Sequence, residues 1–466
     1  MRLALVLVSL VLAAPCIAAQ DAPPEPAPGQ PALKPVRPAD AIPGPPVGGP
    51  ALLPIHEAAR KGELDVIAAE LAKGVSINEP VKGGQGWING SSPLIWAARL
   101  GTPETMRFLL DKGANPNLTG SDGGSALMLA MVEGDVPAKV RMLLDAKADV
   151  EAINWDGDTP LIWAAVYAKD PVIFDMLLKA GARRDFRKPR DGADALAIAA
   201  RRGNLVAISA LAKAGADLEG KALGGVTPLM WACEGLEAGV PAIAALLDLG
   251  ANINATAEDG TTALMMAALS GDATRVRALL DRRADFRAKT TRGDTALMAA
   301  ARTGDPHCIL ALIDAGLDPN ASNRDGVTPL IIALKSSRPE GVRALVRRGA
   351  DVNHKTNDGW SPLMLSRSVA MIEPLIEAGA DLEARAVDRD VRGWTPLMFA
   401  IYDGDYYSVR RLLNAGASVT ARDAVGRLPL QIVDMRQTGR ADEVRELLRA
   451  LTPAVLAPAD QGPGPR

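Results

Sequence analysis

Large rings are scarce in this chain: 7 Trp, 4 Tyr and 5 Phe make up only 3% of 466 residues. Apolar residues still reach 48%, so a core must be built from Ala, Leu, Val, Ile and Met, which favours closely packed helices. Three cysteines and three histidines are too few for a disulfide framework or a Cys/His zinc centre. Charge is nearly balanced, 52 basic against 55 acidic residues for a net −3. The basic excess of a dedicated nucleic-acid binder is therefore missing. No stretch reaches the roughly 18 to 20 apolar residues that a transmembrane helix needs. Walker loops, H-E-x-x-H, G-x-S-x-G and paired C-x-x-C motifs are also absent, and no cofactor, metal or catalytic residue is expected.

The amino terminus has the parts of a secretory signal: Arg2, an apolar run from Leu3 to Leu12, then small residues up to Ala19. It is short, rich in Ala and Leu, and of bacterial type, so residues 1–19 are read as an export signal and a periplasmic or secreted location is expected. Cys16 invites lipidation, but Pro15 before it is a poor fit to the small residue that lipid-modified cysteines require. Residues 20–50 form a Pro-rich linker, with 11 of the 35 prolines between 21 and 50. Such a composition favours extended chain over a core. Residues 451–466 form a second Pro/Gly-rich tail.

The remainder, 51–450, is repetitive. Ser92-Pro93-Leu94-Ile95-Trp96-Ala97-Ala98 recurs as Thr159-Pro160-Leu161-Ile162-Trp163-Ala164-Ala165 and Thr227-Pro228-Leu229-Met230-Trp231-Ala232-Cys233. The anchors are Ile55, Leu94, Leu127, Leu161, Leu196, Leu229, Leu264, Leu297, Leu330, Leu363, Leu397 and Leu430. From Leu94 onward they are 33 to 35 residues apart, giving twelve units. In ten of them Ser, Thr or Asp stands two residues before the anchor, suited to capping a helix. Pro often follows at the first helical position. A second apolar helix ends at a glycine stop such as Gly349, and Asp-Gly pairs such as Asp156-Gly157 mark tight turns before the next cap. The first two anchors are 39 apart, leaving a longer finger, 79–91, that contains Trp87 and a glycine cluster read as flexible.

This unit resembles the ankyrin repeat, with its 33-residue period and T-P-L-H-x-A pattern. The resemblance implies an all-α solenoid of about twelve stacked helix pairs with hairpin or loop fingers and no separate catalytic domain. It departs in one respect: the motif His appears only as His56, and elsewhere Ile or Met takes its place, as at Ile95 and Met128. Six Met residues at that position are read as core filler. His56, His307 and His354 fall in distant units and cannot share a metal. Cys233 and Cys308, two units apart, are too far separated for a disulfide. Four N-x-S/T sequons, at Asn89, Asn117, Asn254 and Asn320, matter only in a host that glycosylates exported proteins.

Ankyrin-like stacks bind proteins through finger tips and first helices, and the resemblance implies a protein partner. Trp96, Trp163 and Trp231 follow the anchor by two residues and are expected in the core. Trp155, Trp360 and Trp394 sit beside turn glycines and are expected to be exposed for binding. Arg99, Tyr167, Arg201, Arg202, Arg302, Lys335 and Tyr402 follow the Ala-Ala pair and should line the same face. Their basic and aromatic bias suggests a partner with an acidic surface. The reading is a monomeric, non-enzymatic scaffold that binds neither nucleic acid nor membrane. A delivered effector that occupies a host protein, or an enzyme with an unrecognised site, stay open as alternatives.

Overall fold

The computed structural model describes residues 52–133, 136–235, 239–435 and 440–451. The segment 1–19 expected to be an export signal, the Pro-rich segment 20–50 and the tail beyond Leu451 lie outside them. Two compact units divide the chain, one ending at Ala251 and the other beginning at Asn252.

Within each unit the same local chemistry repeats. A short first helix, such as Pro160–Tyr167, is followed after a few residues by a second, such as Val172–Lys179. Twelve such pairs run from Pro54–Lys61 with Leu64–Ala72 to Pro429–Ile432 with Ala441–Leu451. In the tenth, a 3-10 turn at Leu363–Leu365 replaces the first helix. First helices pack on first helices and second on second, so each unit is two helical layers with anchors and Ala pairs between them. Leu94, Leu161, Leu330 and Leu397 are fully buried or nearly so.

The caps do their work in eight first helices. Ser125, Thr159, Asp194, Thr227, Thr262, Thr295, Thr328 and Thr395 each accept the backbone N–H three residues on, satisfying a donor the helix itself leaves free. Most second helices end at a glycine in the left-handed region, for example Gly181 (φ 101°) and Gly316 (φ 107°). Lys147 (φ 62°) and Arg283 (φ 63°) take that conformation with a side chain attached, which costs an L-residue about 1 kcal/mol.

The fingers are tight turns rather than strands. Isolated bridges at Thr119↔Ser125 and Thr256↔Thr262 are the extended pairings found among the described residues. Tips are joined by main chain: Ser121 N–H donates to the Asn89 carbonyl (2.7 Å), Trp155 to Asp122 (2.8 Å) and Leu223 to Asp191 (3.0 Å). In the second unit Thr291 donates to Asp259 (2.7 Å), Arg324 to Arg292 (3.0 Å) and Asn357 to Asp325 (3.2 Å).

A second series of ties joins the segments that lead from each second helix into the next finger. Asn117 Oδ1 accepts the Asp149 N–H (2.8 Å), Asn254 that of Asp285 (2.8 Å) and Asn320 that of Asp351 (2.7 Å). Within the long finger, Asn89 Oδ1 accepts the Gly83 N–H (3.0 Å). All four sequon amides are thus structural hydrogen-bond acceptors.

Candidate protein-binding face

The candidate residues sit on first helices and the fingers that precede them, and the structure sorts them by depth. Trp155 is 83% exposed at its finger tip, as expected. Trp394 is not: it is 2% exposed, which corrects the expectation for that residue. Its ring lies 5.2 Å from Phe399 and 5.3 Å from Tyr402. Trp360, half-buried, reaches the same Phe399 at 5.2 Å. The finger tryptophans of repeats ten and eleven therefore close over the first helix Pro396–Asp403. They form one aromatic cluster, with Trp394 beneath and Trp360, Phe399 and Tyr402 each half-exposed. Phe399 was missed by sequence reasoning; it occupies the position where Trp96, Trp163 and Trp231 stand in the first unit.

Those three tryptophans follow the core expectation unevenly. Trp96 and Trp231 are buried, whereas Trp163 is half-buried against Tyr167, centroids 5.1 Å apart. The indole N–H groups of Trp87, Trp163, Trp231 and Trp394 are enclosed without an acceptor among the described residues.

Arg99 is the second correction: it is 3% exposed and belongs to the interior. The cause is the long finger, which folds inward instead of standing free. Val81 N–H donates to the Ser91 carbonyl and Gly90 N–H to the Val81 carbonyl, turning Trp87 onto Trp96 at 4.8 Å. The Arg99 guanidinium stacks 4.7 Å above the Trp87 ring, and Trp96 Nε1 donates to Ser91 Oγ (2.7 Å). Burial pulls the Arg99 pKa below its ordinary value, with Glu133 and Tyr167 opposing the shift.

The other cations are shallower. Arg201 is half-buried, lying 5.0 Å over Trp231 and 4.0 Å from Glu234. Arg202 and Arg302 are half-buried, and Lys335 is exposed. Burial also lowers the Arg302 pKa, with the Asp294 carboxylate opposing.

Lys139 is a buried cation that the repeat pattern does not single out. It is 1% exposed, and its ammonium donates to the carbonyls of Ala98 (3.0 Å) and Glu133 (3.2 Å). It thereby bonds the carboxyl end of the preceding first helix, where a cation is favoured. The same slot, just before the buried Val or Ile of the second helix, holds Arg275, Cys308 and Gly341 elsewhere. A side chain there answers to the neighbouring repeat, so no single-repeat pattern marks it.

His56 is buried, its Nε2 bonded to the Glu79 carbonyl (2.7 Å), and burial lowers its pKa. Cys233 and Cys308 are buried free thiols. No helix among the described residues is long and apolar enough to cross a membrane. No group of three or more His, Cys, Asp or Glu able to hold a metal occurs among them either.

Several known proteins are similar to parts of this chain. Human and mouse DNA-binding protein RFXANK are each 41% identical to this chain over 80 residues. That stretch is 17% and 16% of this chain, and only 28% and 30% of those proteins' length. Among solved structures, the ankyrin repeat domain of Bcl-3, described as a unique member of the IkappaB family, is 28% identical. The match covers 48% of this chain and 99% of that domain at a TM-score of 0.40. The human ASB11 ankyrin repeat domain is 26% identical, with 48% and 98% covered at a TM-score of 0.42. The family model for ankyrin repeats in sets of three copies matches residues 94–188, 165–257, 235–323, 264–356 and 351–423, most of the chain. By motif, period and helix pairing together, the chain belongs to the ankyrin-repeat family.

Proposed function

We propose that this chain is an exported, non-enzymatic scaffold that holds a protein partner with an acidic surface against its first helices and fingers. Ankyrin repeats mediate protein–protein interaction, and the fold is typically non-catalytic. The export signal at residues 1–19 supports a periplasmic or secreted location. The observation that carries the reading is the aromatic surface of the second unit. Trp360, Phe399 and Tyr402 are each half-exposed over the buried Trp394. Rings held rigidly at the surface with one face open are the anchors that protein interfaces concentrate. Lys335 and Arg302, at the same repeat position as Tyr402, supply the positive charge that would meet acidic residues.

The test is an affinity capture from periplasmic and secreted fractions of the producing cell with tagged wild type and a Trp360→Ser/Tyr402→Ser variant. Circular dichroism checks that the variant is folded. Trp394 is left intact because its removal would empty the core. A protein retained by the wild type, released by salt and lost with the variant is the expected result. An identical retained set for both proteins would overturn the assignment of the face. Deletion of residues 1–19 should confine the chain to the cytosol, and unchanged fractionation would overturn the export reading.

A further inference from the structure

Trp155 stands apart from the cluster just described, at the edge of the first unit. It does not stand alone. Ile153 on the same finger is 51% exposed, and Leu223, two fingers on, is 52% exposed. Pro189, on the finger between, is exposed as well. The tips are held in order: Gly157 lies so close to Pro189 that an added Cβ would meet its ring at 3.3 Å. Leu223 in turn donates to the Asp191 carbonyl. The result is a narrow apolar strip, Trp155–Pro189–Leu223, with Arg190 exposed beside it.

We infer that this strip is the seat of the chain's own Pro-rich segment, docked as a polyproline helix. Such helices are recognised on aromatic surfaces because they bring preformed, apolar ridges at little entropic cost. The segment Pro23-Pro24-Glu25-Pro26-Ala27-Pro28-Gly29-Gln30-Pro31 supplies one. Its length fits the strip. Adjacent repeats are spaced about 10 Å apart, so Trp155 to Leu223 is about 20 Å, and Pro24 to Pro31 in that conformation covers about 22 Å. The tether also fits. The described chain begins at Leu52, immediately before the first repeat, and the strip begins in the fourth repeat, about 30 Å along. Residues 31–52 extended span about 65 Å. This seat is distinct from the Trp360 cluster and does not depend on a partner being bound there.

The test uses the full-length chain, a variant with Pro23, Pro24, Pro26, Pro28 and Pro31 each replaced by Ser, and the same variant with Trp155→Ala. The probe is a fluorescent peptide of residues 21–34, followed by anisotropy. A tethered segment competes at millimolar effective concentration, so the peptide should bind the Pro→Ser variant at least about tenfold more tightly than wild type. Adding Trp155→Ala should abolish that binding while leaving the melting curve unchanged, since the ring is exposed. Equal affinity for wild type and the Pro→Ser variant would overturn the inference. Undiminished binding after Trp155→Ala would do so too. Light scattering covers the remaining case: a wild type that self-associates and a Pro→Ser variant that is monomeric would place the segment on a second copy, against an intramolecular seat.

Discussion

Residues 52–251 contain five of the seven tryptophans and 10 Arg beside 11 Lys; residues 252–451 contain two tryptophans and 24 Arg beside 3 Lys. Both stretches follow one repeat plan with the same caps, anchors and turns. In the first unit the position two after the anchor holds a tryptophan in three of six repeats, Trp96, Trp163 and Trp231, beside Glu57, Leu129 and Ile198, whereas in the second it holds Met266, Ala299, Ile332, Leu365, Phe399 and Ile432. Ion pairs between neighbouring repeats occur in both units: Lys188 with Asp158 and Arg201 with Glu234 (4.0 Å) in the first, and Arg348 with Asp314 (2.6 Å), Arg292 with Asp325 (3.1 Å) and Arg411 with Glu373 (3.7 Å) in the second. Those between partly exposed groups contribute little each. The plan therefore fixes the backbone and leaves the filling of that position open: a large ring in three repeats of the first unit, and side chains smaller than Trp throughout the second.

The sharpest break of that comparison is at the filling position. Trp96→Ala should cost about 3–5 kcal/mol, because it removes a buried ring and unseats Trp87 and Arg99 with it. Ile332→Ala, the same position in the second unit, should cost about 2 kcal/mol. Urea denaturation of both variants decides the matter, and equal losses would mean that the rings of the first unit are not what stabilises it. Next in size is the slot held by Lys139 in one unit and Cys308 in the other. Lys139→Ala strips the Ala98 and Glu133 carbonyls of their buried donor and should cost about 2–4 kcal/mol, against about 1 kcal/mol for Cys308→Ala.

Cys308 also gives the second unit a signature in pH. Burial, with Asp305 next to it, pushes its thiol up to about 12. A folded-state pKa above the unfolded value means that stability is fully present below about pH 8.5 and falls as pH rises towards 12. Cys308→Ala should flatten that decline, and a thiol-reactive dye at pH 8 should leave the folded chain unlabelled. A decline of the same slope in the variant would assign it to other groups. The smallest effect is matched across the units. Lys147→Gly and Arg283→Gly each relieve a left-handed side chain and should stabilise by about 0.5–1 kcal/mol. Thermal melts in which either lowers the midpoint would show that the side chain contributes more than the backbone loses.

The fold was legible because a 33-residue period and a cap–anchor–Ala-Ala pattern are local, repeated signals, and the eight observed Ser/Thr/Asp caps sit where the spacing puts them. The binding face was legible only in outline. Trp155 and Trp394 occupy similar places beside turn glycines, yet one is open and the other enclosed. Phe399 and Tyr402 on the following helix close over Trp394, and no ring among the described residues stacks on Trp155. Arg99 reads as a surface residue within its own repeat, and it is the six extra residues of the preceding finger that bury it. In each case the error lies in what an adjacent repeat contributes.

The main-chain bonds between finger tips have one more consequence. Because Trp155, Leu223, Thr291, Arg324 and Asn357 are all held through their own N–H groups, the identity of the side chain is irrelevant to the register of the tip. Each unit thus works as a ruler of constant pitch, about 10 Å per mark, on which any lettering can be written without moving the marks. A molecule that reads several tips at once must carry matching features at that interval, and substitutions at the tips should alter which molecule is read while leaving the interval unchanged.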